Sequence, residues 1–96
     1  MKIRVTGYTK FRPLINGKDS VILEIKNGTI RDALQKLSLQ YGEKFDKLVF
    51  EPGTQDVKRS NLILLNGQPY MNLRDRLGSE LTDGDEIVFM PALVGG

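Results

Sequence analysis

A single helical stripe constrains this chain most. Ile30, Ala33, Leu34, Leu37 and Tyr41 recur at the spacing of one face of an α-helix. The sequence also marks both ends of that helix. Asn27-Gly28 signals a turn, Thr29 suits the N-cap, and Asp32 follows as the acidic form of a capping box at the positive end of the helix dipole. Gly42 is a C-terminal stop. A helix with one apolar face must bury it, and the segments around it read mostly as strands.

Lys2 to Tyr8 alternates, with Ile3 and Val5 on one face. Phe11 to Ile15, followed by Asn16-Gly17, is expected to cap one end of the core. Val21 to Ile25 is a second strand, with Val21, Leu23 and Ile25 on one side, and its closeness to the first predicts antiparallel pairing. Phe45, Leu48, Val49 and Phe50 fit a short helix or an extended segment, and Glu51-Pro52-Gly53-Thr54 is a turn. Leu62 to Leu65 is a strand, Asn66-Gly67 favours a tight type I′ hairpin, and Gln68 to Met71 begins the return. Leu73 and Leu77 suggest another helical turn. Asp83-Gly84 is a turn, and Asp85 to Met90 is the last strand, expected to stop at Pro91. The simplest closure sets the first and last strands side by side with the helix across them. The predicted fold is therefore α+β, a β-grasp: a mixed sheet of four to five strands on one main helix. The domain covers residues 1–91, with 92–96 as a flexible tail.

The residues that are missing narrow the function. The 96-residue chain has neither Cys nor His. Thiolate nucleophiles and disulfides are excluded, and the commonest general base and metal ligand is absent. No side-chain catalytic residue, no metal and no stably bound cofactor are expected. The net charge of +2 is unevenly placed: Lys2, Arg4, Lys10, Arg12 and Lys18 all precede the first acid, Asp19. Those bases are scattered and there is no Trp, so a nucleic-acid surface is not expected. Runs such as Leu62 to Leu65 are too short to span a bilayer, and Met1 to Val5 lacks the apolar region of a signal peptide. A cytoplasmic protein without membrane contact is the expectation.

The chain closes on Met90-Pro91-Ala92-Leu93-Val94-Gly95-Gly96. A terminal carboxylate is a weak electrophile, but joined to AMP it becomes a mixed anhydride open to a persulfide or an amine. Two glycines without Cβ atoms suit passage through a narrow channel. Gly96 is then the reacting residue, with Gly95, Val94 and Leu93 threading behind it.

Leu81-Thr82-Asp83-Gly84-Asp85-Glu86-Ile87-Val88-Phe89-Met90-Pro91 with Val94-Gly95-Gly96 resembles the C-terminal signature of the MoaD/ThiS family of ubiquitin-like sulfur carriers. Ile63-Leu64-Leu65-Asn66-Gly67 resembles that family's internal hairpin. Phe11-Arg12, Gly17, Leu23-Glu24-Ile25 and Thr29-Ile30-Arg31-Asp32-Ala33-Leu34 resemble its N-terminal half. The resemblance implies an activating enzyme of the ubiquitin-activating type, which uses ATP to adenylate Gly96. Sulfur transfer then gives a thiocarboxylate for an acceptor such as the molybdopterin synthase large subunit. It also implies alternatives with the same activated end: a modifier conjugated to lysines, or a sulfur carrier for tRNA thiolation. Ala92 replaces a frequent second proline and Leu93-Val94 is bulkier than usual, which bears on the acceptor channel. The extra residues between Glu43 and Ser60 resemble the longer carriers, which include small archaeal modifiers.

Strand alternation adds a docking surface. With Ile63, Leu65, Ile87 and Phe89 facing the helix, Leu62, Leu64, Val88 and Met90 face away and form an apolar patch for a partner. The competing arrangement covers that patch with Glu43–Ser60 or a second copy of the chain. A reading from another class is an interaction module whose tail is inert.

Overall fold

The computed structural model describes residues 1–15, 17 and 19–92. Helix α1 runs Ile30–Tyr41 and buries Ile30, Ala33, Leu34 and Leu37. Its capping box is complete. The Thr29 hydroxyl accepts from Asp32 N–H at 3.3 Å, and the Asp32 carboxylate accepts from Thr29 N–H at 2.8 Å. At the other end, Gly42 N–H closes on Ser38 O.

The stripe lies on a mixed sheet built from β1 (Lys2–Gly7), β2 (Ser20–Glu24), β3 (Asn61–Leu65), β4 (Gln68–Pro69) and β5 (Glu86–Pro91), in the order β2-β1-β5-β3-β4. β1 and β2 are antiparallel, whereas β1 and β5 run parallel side by side at the centre. This is the β-grasp arrangement read from the sequence. Ile3, Val5, Leu23, Ile63, Ile87 and Phe89 meet α1 in one core.

The last strand does not stop before Pro91. It includes Pro91, which lies opposite Asn61 on β3. The reason is directional. Ala92 N–H donates to Ser60 O at 2.9 Å, so the nitrogen one residue back turns the other way, toward β1. That strand has already ended at Gly7, and the missing N–H removes no ladder bond.

Thr9–Ile15 is a 3₁₀ turn that buries Phe11 and Ile15. Of the two conformations open to the segment after Gly42, both occur in succession. Helix α2 (Glu43–Val49) is followed by a turn closed by an antiparallel bridge between Phe50 and Val57. Phe45 stacks edge-on against Phe89 at 5.9 Å, so α2 lies on the core side of the sheet. Asn61 fixes its end by donating from Nδ2 to Leu48 O at 2.8 Å and Val49 O at 3.2 Å. The helical turn expected near Leu73 and Leu77 is two 3₁₀ turns, Tyr70–Asn72 and Arg76–Gly78, with Leu77 buried. Among the described residues, no helix is long and apolar enough to cross a membrane.

Candidate functional site

β5 carries the chain from the middle of the sheet to Ala92. Its start is set by a turn that Asp85 organises. The Asp85 carboxylate accepts from Asn66 Nδ2 at 2.9 Å, Thr82 N–H at 2.8 Å and the Thr82 hydroxyl at 3.1 Å. Burial pushes this carboxyl up, but the bonds from Asn66 and Thr82 outweigh it and hold the pKa below the usual value. Asn66 Oδ1 in turn accepts from Glu86 N–H at 2.9 Å, so the hairpin tip and the entry to β5 are tied together.

The end of β5 is held on both sides. Tyr8 N–H donates to Phe89 O at 3.0 Å, and Ala92 N–H bonds Ser60 as described above. Ala92 also lines a groove of about 930 Å³ together with Lys58, Arg59, Tyr70 and Arg76. Within it, burial raises the Tyr70 pKa and Asp56 adds to the rise, while Arg76 and Arg31 oppose it. Leu93, Val94, Gly95 and Gly96, the residues assigned to threading and reaction, lie outside the described residues.

The four patch residues share one face of the sheet, opposite the core. Leu62 pairs with Met90 and Leu64 with Val88. Leu62, Leu64 and Met90 are half-buried, but Val88, between Thr6 and Leu64, is only 8% exposed. It forms the floor of the face rather than its surface. α2 and the Phe50–Val57 turn do not cover this face, because Phe45, Val49 and Val57 belong to the core on the other side.

The same face extends beyond the apolar patch. Ile22 on β2 lies opposite Arg4 and is 55% exposed. Arg4 in turn lies opposite Glu86, whose carboxylate accepts from the Thr6 hydroxyl at 3.0 Å. The apolar patch is therefore bordered by a polar row of Arg4, Thr6 and Glu86. Strand parity was the signal for Ile22, since Val21 and Leu23 were assigned to the core face. Among the described residues, no group of three or more Asp and Glu side chains is placed to hold a metal ion.

The model of the ThiS family matches residues 8–96. A search of curated proteins gave no match. Among solved structures, the chain is similar to small archaeal modifier protein 1 from Methanosarcina acetivorans, with 26% identity, coverage of 99% of this chain and 96% of that one, and a TM-score of 0.80. It is similar to a Pyrococcus furiosus protein assigned as molybdopterin converting factor, subunit 1, with 28% identity, coverage of 97% and 99%, and a TM-score of 0.73. It is also similar to the BexX/CysO complex structure from Amycolatopsis orientalis, with 24% identity, coverage of 98% and 99%, and a TM-score of 0.74, a likeness of fold alone. With the family match spanning nearly the whole chain and the β-grasp sheet and helix in place, the chain belongs to the ThiS family, among the ubiquitin-like sulfur carriers and modifiers.

Proposed function

We propose that this chain carries sulfur on Gly96 and donates it as the small subunit of a molybdopterin synthase. The supporting observation is the family match, which runs through residue 96 and so includes the Gly95-Gly96 pair. In this reading a ubiquitin-activating-type adenylyltransferase joins the Gly96 carboxylate to AMP and releases pyrophosphate from its ATP. A persulfide displaces AMP to give an acyl disulfide. A thiol then cleaves the S–S bond, leaving the thiocarboxylate on Gly96 and a disulfide on the donor side. The chain contributes no side chain to these steps, consistent with a sequence that holds neither Cys nor His. Its part is to present the tail and to dock through Leu62, Leu64 and Met90 over Val88. The acceptor is a molybdopterin synthase large subunit, and the likeness to a molybdopterin converting factor subunit supports that choice.

A second reading is conjugation, favoured by the likeness to small archaeal modifier protein 1. There a lysine amine displaces AMP and forms an isopeptide bond to Gly96. Co-production with the cognate activating enzyme and acceptor separates the two. The carrier reading predicts a stable complex with the large subunit and no Gly-Gly remnant on cellular lysines. Remnants on lysines, without transfer of sulfur to the pterin precursor, would contradict it.

A further inference from the structure

Charge is distributed unevenly along β5. Near its start lie Glu80, Asp83, Asp85 and Glu86, with Lys2 and Arg4 beside them on β1. Its far end is bracketed by two segments without an acid. On the β1 side, Tyr8–Ile15 holds Lys10 and Arg12, joined to β5 by the Tyr8 to Phe89 bond. On the β3 side, residues 57–62 hold Lys58 and Arg59, joined by the Ala92 to Ser60 bond. The groove at Ala92 adds Arg31 and Arg76, and also Glu51, Asp56 and Asp75. Among the described residues, the ion pair present within 4.0 Å is Arg12 to Asp19 at 3.4 Å, on the surface. Among the described residues, Lys10, Lys58 and Arg59 have no ion-pair partner; Lys58 and Arg59 line the groove at Ala92, and Lys10 follows two residues after the Tyr8 to Phe89 bond.

We propose that Lys10, Lys58 and Arg59 recognise an acidic rim around the channel of the activating enzyme that receives Gly96. The inference rests on the activation reading above and names the chemistry of the surface that activation requires. If Gly96 enters another protein's channel, the surface that meets the channel mouth is the ring of side chains around Ala92. In the groove Arg31, Lys58, Arg59 and Arg76 stand against Glu51, Asp56 and Asp75, and the basic excess, to which Lys10 on the β1 side adds, attracts a partner of opposite sign. Such steering acts mainly on the association rate and weakens with salt. Arg12 contributes less, because Asp19 already faces it.

The test uses the full chain and its purified adenylating enzyme, with association followed by stopped flow and Gly96 activation by ATP–pyrophosphate exchange. Lys10→Glu and the pair Lys58→Glu with Arg59→Glu are each expected to slow association about tenfold or more at low salt and to flatten its salt dependence. Arg12→Glu has a smaller effect, and Glu80→Lys at the opposite end has none. The neutral pair Lys58→Gln with Arg59→Gln gives an intermediate loss and covers any failure of the reversed pair to fold. Equal rates and salt slopes in wild type and variants, with wild type still activated, overturn the inference and leave the activation reading standing. Absence of activation in wild type removes both. Tight binding of single-stranded oligouridine, lost in the same variants, overturns it in favour of a nucleic-acid surface.

Discussion

Asp85 shows how one side chain sets up the central strand. It receives three hydrogen bonds from two segments, and Asn66, one of the donors, lies 19 residues away. Asp85→Ala is expected to cost about 1.5–3 kcal/mol, the range for a hydrogen bond to a charged group. Its pKa is depressed in the folded chain, so its stabilisation is present above the unfolded pKa and disappears as pH falls through the folded one. Thermal melts from neutral to acid pH should therefore show the gap between wild type and Asp85→Ala closing toward acid. A gap that stays constant would refute the role of the charge. Gly28 has a different constraint. Its φ is +146°, and an added Cβ would lie 2.7 Å from an Asp32 carboxylate oxygen, the group that completes the capping box of α1. Gly28→Ala should destabilise by about 1–3 kcal/mol in denaturant titration. The turn at Asn27-Gly28 and the cap were legible as neighbouring letters. The bond from Asn66 to Asp85 was not, because nothing local records which distant turn will meet it.

Elements divide along the same line. α1 carries its own instructions, with a stripe, a cap at each end and the right length, and it folds as read. The segment Glu43–Ser60 does not, because Phe45, Leu48, Val49 and Phe50 suit a helical turn and an extended run alike. Tertiary contacts decide it: Phe45 finds Phe89, and Asn61 takes the carbonyls of Leu48 and Val49 at the end of α2. Asn61 is 6% exposed, so Asn61→Ala leaves the Leu48 carbonyl without its donor, while Val49 O keeps the bond from Lys58 N–H. The expected cost is about 1–3 kcal/mol. Amide hydrogen exchange should rise across residues 43–50 while α1 stays protected. Uniform loss of protection would contradict α2 as a separately tethered element. Pro91 was misread for a related reason. Proline was expected to end the strand, but its effect depends on which way its nitrogen points, and here it points past the end of β1.

At the scale of the molecule, the sheet has two faces of different character. One holds α1, α2 and the core. The other carries Leu62, Leu64, Val88 and Met90, bordered by Arg4, Thr6 and Glu86. Alternation in the sequence sorted these residues correctly between faces, but it did not show that Val88 would be shielded by its neighbours on β1 and β3. Met90→Lys is a clean probe of the outer face, since a lysine stem can cover the surface while its charge stays in water. Stability should change by less than about 1 kcal/mol, and affinity for the acceptor should fall about tenfold or more by calorimetry. Unchanged affinity would remove this face from docking. Everything in the account converges on Gly96, so the most direct measurement is the intact mass of the chain after co-production with its activating enzyme and a sulfur donor. The account predicts replacement of one oxygen of the Gly96 carboxylate by sulfur, abolished by deleting Gly95 and Gly96. An unmodified carboxylate, with the enzyme active and bound, would contradict it.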